Sequence, residues 1–513
     1  MKLHFAPIAL LLAALATPGI AEVDGTRPNI VLILADDMGY GDVACQNPDS
    51  KIPTPNLDTL AAQGMGFTDA HSPSAVCTPT RYGLLTGTYA WRTALKDSVL
   101  WPWDQPLIDA ATLTLPGMLS AQGYTTACIG KWHLGWDWAT KDGRSINDRL
   151  PLGKYNTKIR GPWGNNIDFS KPVAGGPTAR GFGYYFGDDV PNFPPYCFIE
   201  NDRLLGTPDT EKPESMFGLP GPMVNGWDLT AVMPTLATKA VEFIHAKGGE
   251  VPYNKVDGAP FFLYLPLTAP HAPIAPTAEF IGKSGAHRYG DFVMEVDWFV
   301  GQVLEALDAT GQAKNTLVIF TSDNGSPGRD GENMQGKPNS VRAYGHNPSY
   351  IYRGIKTDIW EGGHRVPLLV RWPERVKSST SDEVVCLTDI MATCAALTGA
   401  TLPEDAARDS YNLLPLLQGA PVTGTLREAT VHHSYDGVFA LRQGDWKYIE
   451  GPGSGGWLEK GTEDDPPVQL YDMKADPRET TNIQGAHPEV VARLAGLLER
   501  YKSEGRSVSR RAE

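Results

Sequence analysis

Four strand-like runs that each end in a cluster of polar residues constrain the fold of this chain more than any other feature. They are Ile30-Val31-Leu32-Ile33-Leu34, Tyr124 to Ile129, Phe261-Phe262-Leu263-Tyr264-Leu265 and Thr316-Leu317-Val318-Ile319-Phe320-Thr321. The first is apolar at every position rather than every second one, which is the pattern of a strand buried on both faces. The polar ends are Asp36-Asp37, Gly130-Lys131-Trp132-His133-Leu134-Gly135, Ala269-Pro270-His271 and Ser322-Asp323-Asn324-Gly325. Helical patterns separate the runs. Pro55 to Ala62 is closed by Gly64, Leu115 to Gln122 has a proline just inside its start, Met233 to Ile244 follows, and Phe292 to Leu307 is amphipathic and stops at Gly311. Alternating strands and helices predict an α/β fold, a large mixed, mostly parallel sheet sandwiched by helices. Ligands of such sheets bind beyond the carboxyl ends of the strands.

A fifth stretch stands apart. Cys77-Thr78-Pro79-Thr80-Arg81, followed by Tyr82-Gly83-Leu84-Leu85-Thr86-Gly87, puts a cysteine at the start of a short helical pattern. A helix N-terminus attracts anions, and Arg81, four residues on, shares a helix face with Cys77 and adds a fixed cation. The pair reads as an anion-handling site. A lone cysteine is more often buried packing than chemistry, so the weight falls on the strand ends. Asp36, Asp37, Asp323 and Asn324 offer oxygen ligands with no thiolate or imidazole among them, a donor set that suits Ca²⁺ or Mg²⁺ better than Zn²⁺. Any one of them alone would serve to cap a turn or a helix. Their coincidence with Lys131, His133 and His271, and with Lys356 in the motif-dense loop Arg353 to Pro367, reads as one site.

The margins of the chain place it in its surroundings. Met1-Lys2-Leu3-His4 and the apolar run Ile8 to Ala16 before Gly19-Ile20-Ala21 read as a secretory signal at residues 1–21, too short for a membrane span. Export without a retained membrane anchor implies a periplasmic or secreted protein. A net charge of -14 argues against nucleic acid or an anionic membrane as partner. Six cysteines are sparse for an exported chain and fix no disulfide pairing; Cys386 and Cys394 fall in one helical pattern, poorly placed to bridge. From Trp136 to about Asn225 the chain is irregular, a stretch that is either a functional lid or a peripheral decoration. The larger α/β domain, which carries the strand-end site, is expected to span residues 22–420. Past it, short strands such as Val438 to Arg442 and Trp446 to Ile449, closed by a helix from Glu489 to Tyr501, predict a smaller C-terminal domain at 421–513, an antiparallel sheet with one helix on it.

On these motifs the sequence closely resembles the formylglycine-dependent sulfatases (type I sulfatases, or arylsulfatases) of the alkaline phosphatase superfamily. The resemblance runs from Pro28 to the Leu470-Tyr471-Asp472 and Asp476-Pro477 segment. Cys77 to Arg81 with Leu84-Leu85-Thr86-Gly87 looks like the family signature, with Thr80 where Ser is common. The resemblance implies that a formylglycine-generating maturation enzyme oxidises Cys77 to formylglycine, whose hydrate is the nucleophile. It further implies a divalent cation, Ca²⁺ or Mg²⁺, on Asp36, Asp37, Asp323, Asn324 and the oxygen of residue 77. Lys131 and Lys356 would bind sulfate, and Arg81 would hold the formylglycine. His133 would orient the diol and take a proton at sulfate release, and His271 would be the acid for the leaving alcohol.

The substrate implied is a sulfated carbohydrate. Tyr289-Gly290-Asp291 and the Phe182 to Phe186 region are similar to sulfatases of galactose or N-acetylgalactosamine 6-sulfates. Trp91, Trp101, Trp103, Trp132, Trp136 and Trp138 offer flat faces to sugars or are core packing, and Arg92, Asp188, Asp189, His346 and His364 are candidates for a substrate subsite. Two rival readings share much of this sequence: a formylglycine phosphonate or phosphodiester hydrolase, and a noncatalytic glycan-binding protein in which Cys77 stays unconverted.

Overall fold

A computed structural model describes residues 27–246, 258–420 and 425–508; the expected signal segment 1–21 lies outside them. The main sheet has ten strands. In spatial order they are Ser379–Ser381, Met65–Phe67, Leu368–Arg371, Thr316–Ser322, Asn29–Ala35, Phe261–Pro266, Thr125–Ile129, Tyr184–Gly187, Ile199–Glu200 and Arg203–Leu204. The five strands from Thr316–Ser322 through Tyr184–Gly187 are parallel. Leu368–Arg371 runs antiparallel to its neighbours, so the sheet is mixed and mostly parallel as expected. Asn29–Ala35 lies near its middle, and the pairs Ala35 with Ser322 and Leu34 with Pro266 bring three strand ends onto one edge.

The all-apolar first strand earns its place by feeding two cores. Ile30, Leu32 and Leu34 pack on one side with Leu84, Leu85, Leu119 and Met391, from the helices Cys77–Thr86, Leu115–Ala121 and Asp389–Thr398. Val31, Ile33 and Ala35 pack on the other with Leu236, Val296 and Leu57, from Val232–His245, His287–Ala309 and Pro55–Ala62. Alternate residues of a strand point to opposite faces, so a strand covered on both sides must be apolar throughout.

Beyond the main sheet, Thr430–His433, Phe439–Gln443, Trp446–Ile449 and Gln469–Asp472 form a separate antiparallel sheet. The helix Pro488–Glu504 covers it, with Leu494, Leu498 and Tyr501 packed against Val431, Leu441 and Leu470. Two details differ from the sequence reading. Tyr184–Gly187, within the stretch read as irregular, is the fifth parallel strand. Cys386 ends a two-residue strand, Val385–Cys386, while Cys394 lies in the following helix, and all six cysteines are free.

Candidate active site

The carboxyl ends of the central strands deliver the site. Asp36 and Asp37 follow Asn29–Ala35 directly, Asp323 and Asn324 follow Thr316–Ser322, and Lys131 stands one residue past Gly130, just beyond Thr125–Ile129. Gly130 has φ 136, and a Cβ there would sit 1.9 Å from the Pro266 carbonyl oxygen. Only glycine lets the chain turn so close to its neighbour, and Lys131 N–H then donates to Pro266 O at 2.7 Å. Opposite, Cys77–Thr86 forms a fully buried helix ended by Gly87 in the left-handed conformation. Thr80 Oγ1 donates to Ser74 O at 3.1 Å, so the variant signature residue anchors the turn before the helix.

The charged groups interlock. Arg81 donates from Nε and Nη2 to Asp323 Oδ2 at 3.1 and 2.8 Å, and from Nη1 to the Lys131 carbonyl at 3.2 Å. Its Nη2 is 3.6 Å from Asp36 Oδ1. Lys131 Nζ donates to Asp36 Oδ2 at 2.6 Å. Lys356 Nζ lies 2.6 Å from Asp37 Oδ1 and 3.7 Å from Cys77 Sγ. Three carboxylates therefore face three cations in a buried, neutral knot.

Two oxygens within it have no hydrogen-bond partner: Asp36 Oδ1 and Asn324 Oδ1, both buried, the latter because Asn324 Nδ2 donates to Asp37 Oδ1 at 2.7 Å. Orphaned buried oxygens are costly. Ligand atoms of Asp36, Cys77 and Asp323 lie within 4.8 Å of one another, as do those of Asp36, Asp37 and His271. The orphaned oxygens and the hard donor set fit a divalent cation.

Burial and neighbours set the protonation states. Burial works against charge on Asp37, yet Lys356 and His271 outweigh it and hold the carboxyl below its ordinary value. Burial raises the Cys77 thiol despite Lys356 and Lys131, so this residue is a thiol in the unconverted chain, a poor nucleophile. Burial, then Lys131 and Arg81, push His133 well below the imidazole range. Its Nε2 faces the Leu100 carbonyl at 3.0 Å and carries the proton, leaving Nδ1 buried with a free lone pair. His271 is likewise pushed well below its ordinary value by burial, with Asp37 opposing and Lys356 and Lys131 assisting. Its Nδ1 faces the Ala272 carbonyl, and its Nε2 is 3.7 Å from Asp37 Oδ2.

These groups open into a cavity of about 320 Å³ lined by Asp37, Cys77, His133, His271 and Lys356. Three lining residues have left-handed backbones: Asp37 (φ 67), His133 (φ 52) and Thr357 (φ 82). Such conformations cost on the order of 1–3 kcal/mol each and persist only where surroundings over-determine them. Here Asp37 N–H donates to Asp323 Oδ1 at 3.1 Å, His133 N–H to Asp189 Oδ1 at 3.2 Å, and Thr357 N–H to Ala75 O at 2.8 Å.

The expected subsite residues are placed elsewhere. Asp189 sits behind His133, also accepting from Trp136 Nε1 at 3.0 Å, and burial pushes its carboxyl up to about 6. Asp188 is buried with both carboxylate oxygens unpartnered, and burial pushes it up to about 7. Arg92 grips both oxygens of Asp409 at 2.7 and 2.8 Å and the Tyr501 carbonyl at 2.8 Å, tying the C-terminal helix to the core. His346 donates to Asp42 Oδ1 at 2.7 Å, and Tyr289 OH lies 2.5 Å from Asp42 Oδ2, so this pair braces the turn behind Asp37.

His364 belongs to a buried tie between the two sheets. Its Nδ1 is 3.0 Å from His71 Nδ1, its Nε2 is 3.1 Å from Lys447 Nζ, and its ring stacks on His432 at 4.0 Å and 8°. Parallel imidazoles do not aim their in-plane lone pairs at one ion, so the stack is a hydrogen-bonded tie. The Phe182 to Phe186 segment is core, as are Trp91, Trp103, Trp132 and Trp136.

What lines the cavity beyond the charged knot escaped the sequence reading, apart from Trp101. Asn192 and Phe193 come from the irregular stretch, Arg329 and Gln335 from the loop after Gly325, and Tyr435 and Trp457 from the C-terminal part of the chain. Trp101 stacks on Phe193 at 5.5 Å and lies 4.4 Å from the Tyr155 ring. The backbone N–H of Trp457 donates to Thr357 Oγ1 at 2.9 Å. Arg329 had a signal, its adjacency to a loaded strand end; Tyr435 and Trp457 had none.

Residues 28–400 match the family model for sulfatases, and residues 356–504 match that for the C-terminal part of N-sulphoglucosamine sulphohydrolase. The chain belongs to the sulfatase family. It is 34% identical to an N-acetylgalactosamine-6-O-sulfatase of Bacteroides thetaiotaomicron, over 93% of each chain. It is 32% identical to human arylsulfatase A, over 96% of this chain and 90% of that one. A solved structure from work on glycosaminoglycan metabolism by Bacteroides thetaiotaomicron superposes with a TM-score of 0.78 at 33% identity, over 93% of this chain and all (100%) of the other. The protein is thus a sulfuric ester hydrolase, an enzyme that cleaves sulfate esters.

Proposed function

We propose that the enzyme removes O-sulfate from a carbohydrate, with galactose or N-acetylgalactosamine 6-sulfate as the sugar, using a formylglycine made from Cys77 and a divalent cation. The observation that carries this reading is the position of Cys77, at the first turn of a buried helix, on the cavity, with Lys356 Nζ 3.7 Å away. The name of the Bacteroides relative and the aromatic wall of Trp101 and Phe193 support the sugar.

As the hydrate of formylglycine, residue 77 would present an oxygen nucleophile in place of the thiol. Asp36, Asp37, Asp323 and Asn324 would hold Ca²⁺ or Mg²⁺, which when bound lowers the proton affinity of that oxygen and polarises the sulfate. A cation added to a neutral knot also makes the cavity positive, as an anionic substrate requires.

The chain's own residues do the rest. Lys356 and Lys131 bind the sulfate oxygens and offset charge developing on them. Arg81 fixes Asp323 and the Lys131 carbonyl, and so holds the floor on which residue 77 sits. His133, neutral with Nδ1 unprotonated, takes a proton from residue 77 at sulfate release. His271 is neutral in the free protein; the negative charge of a bound sulfate ester lets Nε2 take up a proton from solvent, and His271 gives that proton to the leaving alcohol and returns to its neutral form.

Cys77, Pro79 and Arg81 are all buried, so a formylglycine-generating enzyme must meet the segment before the helix closes over it. Export to the periplasm or outside follows from the leader-like start. The test has two parts, made on protein from its native host. Peptide mass spectrometry across residue 77 should find formylglycine, and N-acetylgalactosamine 6-sulfate should be desulfated in preference to its 4-sulfate isomer. An intact thiol at residue 77 in active enzyme, or preference for the 4-sulfate, overturns the corresponding part of the reading.

A further inference from the structure

The cavity above Cys77 carries one cation that the site's own chemistry leaves unused. Lys131 answers Asp36, Lys356 answers Asp37 and Arg81 answers Asp323. Arg329 lines the same cavity and feels the field of Asp37, yet among the described residues no carboxylate lies within ion-pair distance of it. Its Nη1 donates to the Gly336 carbonyl at 2.5 Å, and its guanidinium lies over the Trp457 ring at 5.5 Å.

Burial works against the charge of this half-buried guanidinium, and the field of Asp37, which Lys356 already answers, offsets only part of that. The Gly336 carbonyl and the Trp457 ring restrict the side chain and leave N–H donors for a ligand, which lowers the entropy cost of binding a planar or tetrahedral anion. The Trp457 backbone N–H donates to Thr357 Oγ1, next to the sulfate-binding Lys356, so the chain that carries the indole is tied close to the reacting end. Trp457 is 43% exposed, which puts the pair at the mouth of the cavity rather than its floor. A volume of about 320 Å³ is near the lower limit for a ligand pocket. One sulfated ring fills it, and whatever meets Arg329 hangs from that ring's outer side or from the adjoining sugar.

We propose that Arg329, braced by Trp457, binds a second anionic group of the substrate, a carboxylate or a further sulfate, and so selects acidic oligosaccharides over sugars whose only charge is the scissile sulfate. This rests on the carbohydrate sulfatase reading above. The chemistry is a charge-assisted, two-point hydrogen bond of the kind guanidinium makes with carboxylate and sulfate oxygens.

The experiment compares four probes on the mature enzyme: an aryl sulfate, N-acetylgalactosamine 6-sulfate, the 4,6-disulfated sugar, and a uronate-containing disaccharide with the same 6-sulfate. The expected result is a kcat/KM roughly tenfold higher on one or both doubly charged sugars than on the singly charged one, carried by KM, the weight of one charge-assisted hydrogen bond. Which of the two is favoured tells sulfate from carboxylate. Arg329→Gln should bring the ratio to about one, and Arg329→Lys should restore part of it, with both variants melting as the parent does. A ratio near one in the parent, or an equal loss on singly and doubly charged sugars in Arg329→Gln, overturns the inference. Turnover of the aryl sulfate with none of the three sugars overturns the carbohydrate reading beneath it instead.

Discussion

Arg81→Met tests the charge balance of the site most directly. The methionine fills a similar volume but removes the one cation that holds Asp323 by two hydrogen bonds and stands 3.6 Å from Asp36. All three side chains are fully buried, so solvent does not screen the loss. Breaking a buried pair by deleting one partner costs about 3–5 kcal/mol, because an uncompensated charge stays behind. That is a large share of a total stability of about 5–15 kcal/mol. Arg81→Met/Asp323→Asn removes the stranded charge and should recover at least about half of the deficit. The assay is urea unfolding followed by tryptophan fluorescence and far-UV circular dichroism, which must coincide for the free energy to be defined in a chain of this size. Calcium should narrow the deficit of the single variant more than that of the double variant, since it supplies positive charge beside Asp36 and Asp323. A loss under about 1 kcal/mol in the single variant, or simple addition of the two losses in the double, refutes the balance as drawn.

Further outcomes follow from other parts of the site. Cys77→Ala should abolish turnover of an aryl sulfate while leaving the thermal midpoint within a few degrees, and retained activity would remove residue 77 from the chemistry. Chelation should silence the enzyme and lower its melting temperature, with Ca²⁺ restoring both by mass action; a chelated enzyme that melts unchanged would speak against the cation. Asp188 is held up at about 7 by burial, above its ordinary 3.8. The folded state therefore binds its proton more tightly than the unfolded one, and stability from this group falls as pH rises between those values. The loss is on the order of 4 kcal/mol by pH 8. Asp188→Asn should flatten that slope in urea titrations at pH 5 and pH 8, and an unchanged slope would assign it elsewhere. Lys447→Met strands Glu479, whose oxygen lies 2.7 Å from Lys447 Nζ, and leaves Glu361, 3.0 Å from Lys447 Nζ, to Arg365 Nη1 at 2.9 Å. It should cost about 3–5 kcal/mol by urea unfolding, and a loss under about 1 kcal/mol would show that this tie is solvated.

Much of the fold was legible because burial writes itself into sequence. A strand covered on both faces has to be apolar at every position, so Ile30 to Leu34 announced the centre of the sheet, and the observed strand extends it by one residue at each end. The polar residues after such a strand have no core to enter, which is why Asp36, Asp37, Asp323 and Asn324 stood out. Elements buried for other reasons were harder to read. Tyr184–Gly187 is a parallel strand inside a stretch rich in glycine and proline, where short range gave no period to follow. Arg92, His346 and His364 had the residue types of a subsite, but a titratable side chain carries the same letter whether it meets a ligand or a buried partner.

By itself the sequence determined the alternation of strands and helices, the chemistry waiting at the strand ends, and Cys77 at the start of a helix. These are local properties, set by periodicity and by residues adjacent in the chain. Only the tertiary structure decided that Lys131 would face Asp36 and Lys356 face Asp37, that Asp189 would brace His133 from behind, and that Tyr435 and Trp457 would reach across from the C-terminal part to finish the cavity. Those relations join residues tens to hundreds of positions apart, and their energies exist only once the sheet has aligned its ends and expelled water between them.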